Sequence, residues 1–132
     1  MKKILKSIAG AVVVTVTVFS IAAAGTDEIA AKGVFKGASN HATSGGVSIV
    51  KTTTAQSVVI LGPDFSLDGA PEPYVGFGKN GRYDKRASLG KLGNNNGKQV
   101  FKVPPNINIS KYNEVYIWCR KFGVPLGIAT LK

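Results

Sequence analysis

Two side chains in this sequence have the chemistry of a reaction centre. Cys119 is a nucleophile and ligand once deprotonated, and His41 is a proton carrier and ligand. Each is the only residue of its type, and the sole methionine is Met1. That scarcity excludes much. A blue-copper site takes two histidines and a cysteine, a zinc site three or four nitrogen or sulfur ligands, an iron–sulfur cluster four thiolates, and covalent c-type haem a CxxCH run; one such chain supplies none of these. A free thiol, a noncovalent haem held by Cys119 or His41, or no cofactor at all remain open. A Cys119/His41 pair would support thiol hydrolysis if folding joined them. GxSxG, HExxH and P-loop motifs are missing, and Ser88-Leu89-Gly90-Lys91 matches SxxK without its partner motifs. The residues do not point to a stand-alone enzyme.

Cys119 ends the run EVYIWC, which reads as a strand from Glu114 to Arg120. Side chains alternate along a strand, so Val115, Ile117 and Cys119 share one face and Tyr116, Trp118 and Arg120 the other. Cys119 is then either a small buried hydrophobe or a redox thiol, with Lys121 nominally on its face to stabilise a thiolate. Trp118, Tyr116, Phe122 and Phe101 are sheet-packing aromatics, or walls for a flat cofactor against Cys119, His41 and Trp118. His41, between Asn40 and Ala42, reads as an exposed or turn-bonding residue.

The elements that must position these groups are short. Sixteen glycines and six prolines without a period favour many strands and tight turns. Val47 and Ile49 alternate with polar neighbours after Gly45-Gly46, and Ser57 to Gly62 is a β-branched run that pairs with them as a hairpin. Leu61 to Pro73 is turn-rich and reads as a loop. Tyr74 to Gly78 is a strand ending at the Asn80-Gly81 turn. Arg82 to Gly97 reads as polar coil anchored by Leu89 and Leu92. KQVFK gives a strand stopped by Pro104-Pro105, and Pro125 to Leu131 a last strand. The expectation is an all-β fold, a β-sandwich or small barrel of short, mainly antiparallel strands, preceded by an N-terminal signal helix.

Residues 1–24 have the layout of an export signal: Lys2, Lys3 and Lys6, an uncharged stretch from Ser7 to Ala24, and small residues at Ala22 and Ala24 for cleavage. The alternative is an uncleaved anchor over residues 7–24. Residues 25–32 form a lead-in, with Glu28 to Lys32 as one helical turn, and the domain runs 33–132. A periplasmic or secreted location follows, or attachment to the inner membrane by the anchor. Seventeen basic residues against seven acidic ones, only three of them in the leader, leave the domain basic. The cations are mostly dispersed, which suits an anionic surface or acidic partner and does not suit nucleic acid. Membrane contact is expected only through an uncleaved N-terminus or the anionic surface.

The run from Gly33 through Leu131 resembles the DM-thirteen domain, a module associated with DOMON domains and described as electron transfer. The resemblance rests on GVFKGASNHATSGGVSIV, DFSLDGAPEPYVGFG, LGKLGNNNGKQVFKVPPNINISKYNEVYIWC and FGVPLGIATL, and YNEVYIWCRKFGVPLG is its most specific piece. It implies redox or electron transfer through the family's cysteine, here Cys119, as a naked thiol or a ligand to a group such as haem. With no DOMON or cytochrome module in this sequence, the electron donor or acceptor is expected to be a separate redox or envelope protein. The competing expectation is a non-catalytic cell-envelope binding module in which Cys119 is structural and buried.

Overall fold

The computed structural model describes residues 10–17 and 25–132. Ten strands follow in order: β1 (Glu28–Gly37), β2 (Thr43–Ser44), β3 (Gly46–Lys51), β4 (Ser57–Leu61), β5 (Ser66–Leu67), β6 (Pro73–Lys79), β7 (Arg82–Lys91), β8 (Gln99–Lys102), β9 (Glu114–Cys119) and β10 (Val124–Thr130), with one 3-10 turn at Ile109–Lys111. Eight of them form one sheet in the order β7-β6-β9-β10-β1-β3-β4-β8, every pairing antiparallel, and β2 and β5 make a two-stranded patch. The end strands β7 and β8 approach each other, so the sheet curls into a nearly closed barrel. The all-β expectation holds, in its barrel form. The signal helix expected over residues 1–24 lies outside the described residues, save 10–17, which form neither helix nor strand. Among the described residues no helix is long and apolar enough to cross a membrane.

Alternation fills the barrel. Val47, Ile49, Val59, Leu61, Val75, Phe77, Val115, Ile117, Leu126 and Ala129 all point into one core that Phe35, Phe65 and Leu67 complete. Sealing those side chains from water is the main force holding the sheet closed. The Asn80-Gly81 hairpin forms as expected, with both residues at positive φ (52° and 83°).

Three expectations fail. The segment Leu61 to Pro73 is not all loop, since Ser66–Leu67 forms β5 by pairing with β2, a long-range contact its turn residues do not announce. Glu28 to Lys32 is not a helical turn but the first half of β1, paired with β3 from Glu28↔Lys51 to Val34↔Gly46, where ladder hydrogen bonds override alanine's helical preference. Arg82 to Lys91 is not coil but the ten-residue strand β7. Only Ala87 of β7 is fully buried, because the strand lies at the sheet's end and its register against β6 shifts twice, hiding the period that would identify it.

Candidate functional site

Cys119 closes β9, in register with Val124 of β10 and Pro73 of β6. Its side chain faces the core together with Val115 and Ile117, and only 1% of the residue is exposed. The thiol donates a hydrogen bond from Sγ to the carbonyl of Pro71, at 3.0 Å. Pro71 itself is exposed, in the segment Asp68–Glu72 that connects β5 to β6. Within this segment Gly69 has φ 111° and Glu72 has φ 52°, a left-handed conformation that costs a non-glycine residue roughly 1 kcal/mol. The loop is tied at both ends. Arg120 N donates to Glu72 O at 3.0 Å and Asp68 N to Ala42 O at 3.0 Å.

His41 belongs to the second of these ties, at Asp68. Its Nδ1 lies 2.8 Å from Asp68 Oδ1, while Ala42 N donates to Asp68 Oδ2 at 3.0 Å. The Ala42 amide first, and then His41, hold the Asp68 carboxyl below its usual pKa. His41 is thus the turn-bonding residue expected, and its partner is an aspartate. The structure gives no hydrogen bond between His41 and Cys119, so the geometry supplies no nucleophile–base pair. Lys121 does not stand on the sulfur's face either. The strand ends at Cys119, and in the turn that follows Lys121 is exposed, its Nζ 5.7 Å from the centre of the Phe122 ring.

Trp118 points the opposite way, onto the outer surface of the β7-β6-β9 sheet. There it stacks on Tyr83, with ring centres 4.4 Å apart and planes 14° from parallel, and meets the edge of Tyr116. Two glycines make this possible. A side chain at Gly76 would come within 2.8 Å of the Tyr83 ring and 2.9 Å of Ala87 O, and one at Gly78 would collide with the Tyr116 ring and Arg82 O. Aromatics from β7 and β9 therefore lie across the bare backbone of β6. Tyr116 is so well covered that burial, then the Glu114 carboxylate, pushes its hydroxyl up to about 12. Arg120 completes the group: its Nη1 donates to the Tyr74 hydroxyl at 3.1 Å and its guanidinium carbon sits 4.9 Å over the Tyr74 ring. That hydroxyl, ahead of the more distant Glu72 carboxylate, raises the guanidinium pKa further. Tyr74, Tyr83, Lys85, Ser88, Trp118 and Arg120 line a cleft of about 230 Å³. The sequence reading missed this cleft as a unit. Its available signal was the alternation of Tyr74 with Gly76 and Gly78, which leaves one face of β6 empty for neighbouring rings.

The three residues considered for a cofactor are therefore spread out: Cys119 inside the wall, Trp118 outside it, His41 on the loop tie. Haem does not fit the sulfur in this arrangement. Cys119 is enclosed by core side chains, its thiol is engaged by Pro71, and it does not line the cleft beside Trp118. Among the described residues, no group of three or more histidine, cysteine, aspartate or glutamate side chains gathers to hold a metal ion.

Comparison with curated proteins and with solved structures returned no match. The barrel from β1 onward, with the cysteine at the end of β9, coincides with the segment that a family model recognises: residues 34–131 match the model described as Electron transfer DM13, and the chain belongs to that family.

Proposed function

We propose that this domain exchanges electrons with a separate protein through Cys119, a thiol kept in reserve behind the Asp68–Glu72 loop. One observation carries the reading: the sulfur is enclosed, yet its hydrogen-bond partner is the carbonyl of Pro71, an exposed loop residue. Displacing this loop, which already contains a left-handed Glu72, would free the thiol of its hydrogen bond to Pro71. The family description supports the electron-transfer class. The leader-like residues 1–24 support an exported setting, where disulfide partners persist.

The chemistry follows from the cysteine's solitude. With the loop displaced, the thiol loses its proton to solvent and the thiolate attacks a partner disulfide. A bond forms between Cys119 and one partner sulfur, the partner's S–S bond breaks, and the other sulfur leaves as thiolate. This chain has no second cysteine, and return attack by the partner's released thiol only reverses the step. Net transfer therefore takes a third, dithiol protein, one thiolate of which attacks the Cys119 sulfur and releases the partner as a dithiol, while its second thiol then closes its own disulfide and frees Cys119.

The burial of Cys119 favours a second reading, an envelope binding module in which the cysteine only packs. Reaction of the folded protein with a small aromatic disulfide separates the two. Asp68→Asn removes the carboxylate that ties the loop to His41. Under the redox reading the thiol reacts without global unfolding, and this variant accelerates the reaction about tenfold. If labelling in both proteins proceeds only at the rate of global unfolding, the binding-module reading replaces it.

A further inference from the structure

The cleft on the outer face of β9 has the composition of a ligand site of its own. Its floor is the stacked Tyr83–Trp118 pair, both half-buried and both lining the cleft. Its cationic wall is Arg120, whose pose is fixed twice over, by the hydrogen bond to the Tyr74 hydroxyl and by stacking over the Tyr74 ring. One Nη1 hydrogen is used in that bond, which leaves Nε and Nη2 as the paired donors that match a carboxylate. Lys85 and Ser88 add a second cation and a hydroxyl to the lining. Among the described residues, ion pairs within 4.0 Å form at His41–Asp68 and Arg86–Asp84, and neither Arg120 nor Lys85 takes part in one. A positioned guanidinium beside an aromatic plane, with no carboxylate of the described residues within 4.0 Å and Glu72 acting on it only at longer range, is complementary to a flat ring that carries its own anion.

Volume narrows the class. About 230 Å³ lies below the roughly 300–1,000 Å³ of pockets for drug-sized molecules, so one ring with one substituent is the matching size. A cationic ligand is disfavoured by Arg120 and Lys85, and a polyanion exceeds the cleft. We propose that this cleft binds small monocyclic aromatic carboxylates, with the ring on the Tyr83–Trp118 face and the carboxylate on Arg120. The site lies on the opposite face of β9 from Cys119, so it stands or falls independently of the thiol's redox role.

Trp118 is the only tryptophan in the chain, and its fluorescence therefore reports this cleft alone. The full-length protein is titrated with benzoate, with benzyl alcohol as the uncharged ring and glucuronate as the non-aromatic anion, and isothermal titration calorimetry provides a readout free of optical interference. Benzoate is expected to give a saturable change that benzyl alcohol and glucuronate reproduce at least tenfold more weakly. Arg120→Gln should weaken benzoate at least tenfold while leaving the unfolding midpoint within a few degrees, and Arg120→Lys should restore part of the loss. Absence of saturation, equal binding of glucuronate, or unchanged benzoate binding by a folded Arg120→Gln variant overturns the proposal.

Discussion

At the scale of single residues, the most informative group after Cys119 is Tyr116. Its hydroxyl donates to Glu114 Oε1 at 3.3 Å beneath the covering rings of Tyr83 and Trp118. The neutral phenol is favoured in the fold, with a pKa of about 12 against an ordinary value of 10.0. A raised folded-state value means that its contribution to stability is complete below pH 10 and is lost as pH rises from 10 through 12. The denaturation midpoint in urea is therefore expected to fall steeply across that window, and Tyr116→Phe, which removes the ionising group, should flatten the decline. An equally steep decline in the variant would place the alkaline transition elsewhere. The inward direction of Cys119 was legible from strand alternation alone, since Val115 and Ile117 mark that face as apolar. The Pro71 contact was not legible, because a hydrogen bond across 48 positions depends on how β6 is laid beside β9.

At the scale of elements, β6 governs the site. Its register places Tyr74 opposite Trp118, Gly76 opposite Tyr116 and Gly78 opposite Glu114 on one side, and Gly76 opposite Ser88 on the other. Gly78→Ala puts a methyl group into the Tyr116 ring and the Arg82 carbonyl, and the expected cost is about 1–3 kcal/mol, as for other overpacked positions. Equilibrium denaturation measures it, and an unaltered stability would mean that the ring is free to move aside. The hairpin of β3 and β4, the Asn80-Gly81 turn and the closing strands β9 and β10 were readable because each has a local signature. β7 was not, since RYDKRASLGK sends only Ala87 and, in part, Leu89 to the core and pairs with β6 through shifted register. The aromatic cleft was hidden for a related reason: Tyr74, Tyr83 and Trp118 come from three strands that become neighbours only in the order β7-β6-β9.

At the scale of the whole molecule, two carboxylates join segments distant in sequence. Asp68 ties the β5–β6 loop to His41 and Ala42, and Asp84 on β7 accepts from Arg86 and, at 2.7 Å, from the hydroxyl of Tyr112. Hydrogen bonds from Arg86 first, then Tyr112, lower the Asp84 pKa to about 2, and that of Asp68 is lowered as well. Depressed folded-state values give a contribution that is present above the unfolded carboxylate range, near 3.8, and is lost as pH falls through the folded value. The thermal midpoint is expected to drop between about pH 4 and pH 2, and to drop less in Asp84→Asn; a matching drop in that variant would exclude Asp84 as a contributor. Composition and turn density disclosed an all-β domain, whereas closure of one sheet, in place of two packed against each other, is set by long-range pairings such as β1 with β10 that no local pattern encodes.

That closure is incomplete, and the seam between β7 and β8 has its own consequence. A sheet end with spare backbone donors and acceptors invites a second chain to add a strand and begin a fibre. Here the β8 end is bracketed by Lys98 and Lys102 and halted by Pro104-Pro105, and β7 brings Arg82, Lys85, Arg86 and Lys91 to the other side. Copies meeting edge to edge would present like charges, and that repulsion opposes growth of a fibre through the seam.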